Sequence, residues 1–133
     1  MAAADATAAG IDAEQGRRLL LAAQKAWNTR DLEALVNVLD PNICIDVNLA
    51  PPIQGIEAAR AWLRARLDVQ LDYRLVKELR GVYDNTVVCH WTGTWHEASG
   101  GRYRAVGIEL LTLNAENRVT RWEAATDTEH LDA

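Results

Sequence analysis

The sequence predicts an α+β fold in which a curved antiparallel β-sheet wraps a long N-terminal helix. Three observations carry this expectation. Apolar residues recur at helical spacing as far as residue 67. From residue 71 onward they alternate with polar residues, and turn residues separate the alternating segments. Helices first and a meander last is the order of an α+β domain, not of a βαβ protein.

The first helix is expected over residues 11–28, where Ile11, Leu19, Leu20, Ala23 and Trp27 fall on one stripe. Asp31 stands where it would cap a second, short helix carrying Leu32, Leu35, Val36 and Leu39. That helix is expected to stop at Asp40-Pro41, since proline drives the residue before it out of helical geometry. Ile43, Ile45 and Val47 alternate with Cys44, Asp46 and Asn48, a short strand. Pro51, Pro52 and Gly55 mark a loop, and a third helix over 56–67 carries Ile56, Ala59, Leu63 and Leu67. Strands are expected over 71–83, 87–96, 102–113 and 119–126, joined by turns at Asp84-Asn85, Ser99-Gly100-Gly101 and 114–117. With neither repeat nor linker, the chain divides into a flexible tail (1–10), one domain (11–128) and a C-terminal tail (129–133). A length of 133 residues suits one domain with a proper core.

The charge is acidic, 14 Lys+Arg against 19 Asp+Glu, with no basic block, so no nucleic-acid partner is expected. No apolar run nears the roughly 18 residues that span a bilayer. MAAADATAAG lacks the basic and apolar regions of a signal peptide, so a cytoplasmic location without membrane contact is expected. Cys44 and Cys89 form no CxxC pair and read as buried free thiols. Five Trp with no Phe suggest the bulky lining of a cavity or interface, or core packing. His90, His96 and Glu109 show neither HxH nor HExxH spacing, and no glycine-rich phosphate cradle is present. Neither a metal nor a cofactor is expected.

The order of elements, with the stretch AWNTRDLEALVNVLDPNICIDV, resembles the nuclear transport factor 2-like superfamily. That stretch is similar to the helix-helix-strand opening of ketosteroid isomerases and SnoaL-like polyketide cyclases. The likeness covers residues 12–128 and implies a cone-shaped α+β fold with about three helices. LDYRLVKELRG, TWHEASG and Gly107-Ile108-Glu109 resemble a narrower group of bacterial proteins that carries no settled activity. The resemblance matches Asp46 to the general base of ketosteroid isomerases. It matches Glu109, in Ile108-Glu109-Leu110-Leu111-Thr112-Leu113, to the acid that binds their developing oxyanion. Their helical Tyr falls near Ala23, so that phenol is lacking, and the His of SnoaL-like cyclases, near Trp95, is unmatched. Limonene-epoxide-hydrolase-like enzymes match at Asn48. Their Tyr falls on Asp46, their Arg and Asp near Thr92 and Thr94, and their last Asp on Ala124, so their mechanism is not expected.

Alternation groups Cys44, Asp46 and Asn48 on one face, and His90, Thr92 and Thr94 opposite Cys89, Trp91 and Trp95. Glu109 shares a face with Ala105, Gly107 and Leu111, and Trp122 with Ala124. The resemblance implies that the faces holding Asp46, His90, Glu109 and Trp122 are concave and wall a pocket. Two carboxyl groups in one small cavity drive their pKa values apart, so one serves as base and the other as protonated donor. That pair moves a proton beside a carbonyl, or expels a β-hydroxyl, without a cofactor. The expectation is an isomerase, cyclase or dehydratase acting on a hydrophobic carbonyl-bearing molecule in specialised metabolism. Asp46, Glu109 and His90 would be catalytic, and Asn48, Thr92, Thr94, Trp122, Trp27 and Trp62 would meet the substrate. Blander readings stand beside it: Glu109 paired structurally to Arg104 or Arg121, Asp46 capping the next loop, and His90 a satisfied strand histidine. The whole domain could be a non-catalytic binding or assembly module, or an epoxide hydrolase in which Asp46 activates water. Trp91 and Trp95 on the outer face suggest a homodimer through sheet packing.

Overall fold

In the computed structural model, which describes residues 10–132, the helical periodicity becomes α1 (Ala13–Asn28), α2 (Leu32–Asn37) and α3 (Ile56–Val69). Apart from Gly10, the tail expected at 1–10 lies outside the described residues. A capping box starts α1: the Asp12 carboxylate accepts from the Gln15 N–H, and the Gln15 side chain accepts from the Asp12 N–H. Two donors of the first turn, which have no partner inside the helix, are thereby satisfied. Asp31 caps α2 by accepting from the Ala34 N–H, as its place before the apolar run suggests.

Six strands form one curved sheet in the order β2-β1-β6-β5-β4-β3. They are β1 (Leu39–Val47), β2 (Ile53–Gln54), β3 (Leu71–Tyr83), β4 (Thr86–His96), β5 (Arg102–Leu113) and β6 (Val119–His130). The sheet is mixed, not purely antiparallel, because β1 and β6 run parallel. β1 begins at Leu39, ahead of Pro41, and its register with β6 shifts between Leu39 and Cys44. Pro41 has no N–H for the ladder, and that irregular stretch is where it can be tolerated. β2 occupies part of what the prolines mark as loop. β6 continues past Thr126, where the alternation reads as ending, and pairs with β5 as far as His130 opposite Tyr103. Beyond the strand, Asp132 accepts from Arg102.

The helices cover the concave face, and the apolar residues of each strand turn toward them. Ile43, Ile45, Leu63, Val87 and Cys89 have no exposure. Burying an Ile or Leu side chain is worth about 1.5–3 kcal/mol, so these residues decide which way each strand faces. β3 is a sheet edge whose outer backbone groups would lack partners, and α1 covers it. Asn28 donates to the Leu75 carbonyl and accepts from the Leu75 N–H, while Gln24 accepts from the Lys77 N–H at 2.8 Å. This blunts the edge and fixes the backbone that carries Lys77. Two glycines let aromatic rings lie flat on the sheet: a Cβ at Gly107 would come within 2.5 Å of the Trp91 indole, and one at Gly93 within 2.8 Å of the Tyr73 ring.

Candidate functional site

Between the sheet, the end of α1 and α3 lies a cavity of about 290 Å³. Trp27, Lys77, Glu109 and Trp122 form its floor, because the same four residues also line a small apolar void of about 30 Å³ beneath it, among Leu19, Leu111 and Val119. Trp62, Arg66, Gln70 and Thr128 form its mouth, since they also line an outer groove with Val69, Trp95 and Glu97. Trp62 of α3 meets Trp122 of β6 edge to face, with centroids 5.5 Å apart.

Glu109 is the centre of the floor. Its side chain is 3% exposed, and Lys77, 4% exposed, donates to Oε1 as an ion pair. Trp122 Nε1 donates to Oε2 at 2.9 Å, and the Cys89 thiol lies 3.3 Å from Oε1. Burial, and then the Glu109 charge, push the Cys89 thiol up to about 12, so it stays protonated and donates. A carboxylate has about four acceptor sites. Three are taken among the described residues, two on Oε1 and one on Oε2, which leaves Oε2 as the oxygen able to accept a proton from a bound molecule. Tyr73, also in the cavity wall, is pushed up to about 12 by burial, with the Arg66 charge opposing and the Glu109 charge adding. Its phenol is therefore a neutral donor near pH 7.

Of the residues expected at the site, the structure brings together Glu109, Trp122, Trp27, Trp62 and Asn48. Asn48 reaches the cavity because its backbone turns left-handed (φ 52) at the end of β1, and its side chain then bridges to Thr126. Asp46 does not join them. It faces outward, where Arg121 Nη2 donates to it at 2.8 Å, because Ile43 and Ile45 take the inward positions of β1. His90, Thr92 and Thr94 also face outward, since Val87, Cys89 and Trp95 fill the core side of β4. His90 Nδ1 lies 3.9 Å from Glu78, too far for a hydrogen bond. The structural partners proposed for Glu109 are engaged elsewhere, Arg104 with Glu129 and Arg121 with Asp46. Trp91 and Trp95 point inward, so they supply no outer-face contact; that face exposes Val76, Val106 and Ile108 instead. Sequence reasoning missed Lys77, Tyr73, Gln70 and Arg66. The alternation Tyr73-Leu75-Lys77, which puts a lysine among apolar residues, was the available signal for Lys77.

Among the described residues, no three His, Cys, Asp or Glu side chains gather as metal ligands, and no helix is long and apolar enough to cross a membrane. Residues 20–122 match the family model of the SnoaL-like domain. The chain belongs to the SnoaL-like domain family. No curated protein matches it. Its fold is that of several solved structures. A protein from Jannaschia sp. CCS1 assigned as a SnoaL-like polyketide cyclase has a TM-score of 0.76 at 19% identity, covering 86% of each chain. SalBIII, an epoxide hydrolase/cyclase-like enzyme with a role in pyran ring formation in the polyether salinomycin, has a TM-score of 0.74 at 16% identity, covering 88% of this chain and 95% of its own. An LEH-like epoxide hydrolase of M. tuberculosis has a TM-score of 0.72 at 16% identity, covering 86% of this chain and 84% of its own. At such identities these structures share with this chain a nuclear transport factor 2-like α+β fold alone.

Proposed function

We propose that this SnoaL-like domain is a cofactor-independent acid/base enzyme of the isomerase, cyclase or dehydratase type, acting on a hydrophobic carbonyl-bearing small molecule. The observation that carries the reading is the buried Glu109 carboxylate with one acceptor site left open, on the floor of an aromatic cavity. Glu109 Oε2 takes a proton from the carbon beside the carbonyl and returns it to another position or to a leaving hydroxyl. Lys77 offsets the carboxylate charge at rest. As the proton arrives on Glu109, the ammonium is left facing the enolate, where a preorganised charge in a dry site does most for the transition state. A positioned base typically contributes about 10²–10⁴-fold in rate. Asp46 faces outward, bonded to Arg121, and has no part in this proposed chemistry, so the reading does not favour the epoxide-hydrolase variant that needs Asp46 to activate water.

The test is deuterium incorporation from D₂O at the α-carbon of a panel of hydrophobic cyclic ketones. Glu109→Gln is expected to lower the exchange rate about 10²–10⁴-fold, with Asp46→Asn at the native rate. Equal rates in native protein and Glu109→Gln would sink the proposal. A non-catalytic ligand-binding module is the second reading, favoured by the fact that Glu109 is already paired with Lys77. Ketones that bind without any catalysed exchange would establish that reading instead.

A further inference from the structure

We propose that Arg66 and Gln70 at the mouth of the cavity, with Tyr73 on its wall, form a second polar pole, which binds the carboxylate of a monoanionic apolar ligand. Gln70 is 3% exposed and Tyr73 9%, and both line the cavity. Among the described residues, neither the Gln70 amide nor the Tyr73 phenol makes a side-chain hydrogen bond. Neither group is shut off from solvent, so both open onto the cavity and are free to bond a molecule held there. Arg66 stands beside them with its guanidinium 5.5 Å from the Trp62 ring centroid, and it belongs to no ion pair among the described residues.

Charge fixes the sign and size of that partner. The charged residues of the cavity lining are Arg66, Lys77 and Glu109, and Lys77 cancels Glu109. One positive charge is left over, so the site balances a monoanion. Glu97 lines the outer groove and not the cavity. Guanidinium, amide and phenol all present N–H or O–H donors, which suits the two oxygens of a carboxylate. Tyr73 and Lys77 share a face of β3, about 13 Å apart along an extended strand. The ligand is thus an elongated apolar body with a carboxylate at the mouth and, if the proposed function holds, its carbonyl at the floor. Only the second half of that description rests on the proposed function.

The experiment is calorimetric titration of the full chain with a decalone carboxylic acid and, in parallel, its methyl ester. The acid is expected to bind about tenfold to a hundredfold tighter, the range of charge-assisted hydrogen bonds. Arg66→Met keeps an unbranched apolar stem over Trp62; it should abolish that preference while leaving the affinity for the ester unchanged. Tyr73→Phe should narrow the preference about threefold to tenfold, the share of one hydrogen bond. Equal affinity for acid and ester, no binding of either, or a preference that survives Arg66→Met overturns the proposal. Displacement of the acid by inorganic phosphate more readily than by acetate overturns the assignment to a carboxylate. The titrations are repeated on Glu109→Gln. A preference for the acid without catalysed deuterium exchange in the native protein leaves the anion pole standing and removes the catalytic reading. Exchange without the preference does the reverse.

Discussion

The two faces of this sheet each hold an acid bonded to a cation, and they differ in what surrounds the pair. On the concave face the side chains of Glu109 and Lys77 are 3% and 4% exposed, whereas on the convex face those of Asp46 and Arg121 are 27% and 52% exposed. Water screens the outer pair and offers each partner an alternative, so its coupling is small. The inner pair has no such alternative. Each charge there depends on the other, and any ligand entering the cavity meets both. Strand alternation writes Asp46 and Glu109 into similar local patterns, and burial alone separates the acid suited to chemistry from the acid that decorates a surface.

The most severe way to break that contrast is to remove each cation. Lys77→Met strands a buried carboxylate and is expected to cost about 3–5 kcal/mol of stability in urea denaturation, against less than about 1 kcal/mol for Arg121→Met. Similar losses in the two variants would mean that the floor is not dry. Adding Glu109→Leu to Lys77→Met should recover most of the loss, since a buried pair replaced by apolar groups costs little.

A smaller effect sharpens the contrast through the backbone. Gly107→Ala would press on the Trp91 indole and is expected to cost about 1–3 kcal/mol from overpacking, with a shift in tryptophan fluorescence. Gly81→Ala, which meets nothing within 4 Å, serves as its control. Comparable stability of the two variants would show that the close approach at Gly107 does not constrain the cavity wall.

The smallest effect is alkaline. The folded Cys89 thiol titrates near 12 against 9.0 when free, so its contribution is fully present below pH 9. Above that the unfolded chain loses its proton first, and stability falls as pH rises toward 12. Cys89→Ala should flatten this decline by about 1–2 kcal/mol between pH 8 and 10.5, read from urea midpoints. An unchanged slope would place the thiol in contact with water.

The fold was legible because helical and alternating periods occupy separate parts of the chain, with Asp12, Asp31 and the turn residues marking the joints. The facing of β5 and β6 was legible too, and with it Glu109 and Trp122. The facing of β1 and β4 was not, because looking for polar residues in the pocket selected Asp46 and His90. A strand's facing is set by its apolar majority; Ile43, Ile45, Val87 and Cys89 outweighed the polar residues beside them. Lys77 escaped notice because its partner lies two strands further along the chain, and no local pattern records a charge pair made across a sheet. Gln70 and Tyr73 became visible only once their burial was known.

The parallel pairing of β1 with β6 bears on how the protein comes into being. Leu39 must find Val119, and Val47 must find Ala124. Contacts that distant in sequence close late, because the intervening loop resists closure until other contacts have shortened it. Trp122 sits on that last strand, and Asn48 is tied to Thr126 across the same seam. During synthesis the first helices and β1 are therefore made well before their final neighbour. A nascent chain lacking β6 has neither a finished floor nor a finished rim, so ligand binding cannot begin until the final strand has joined.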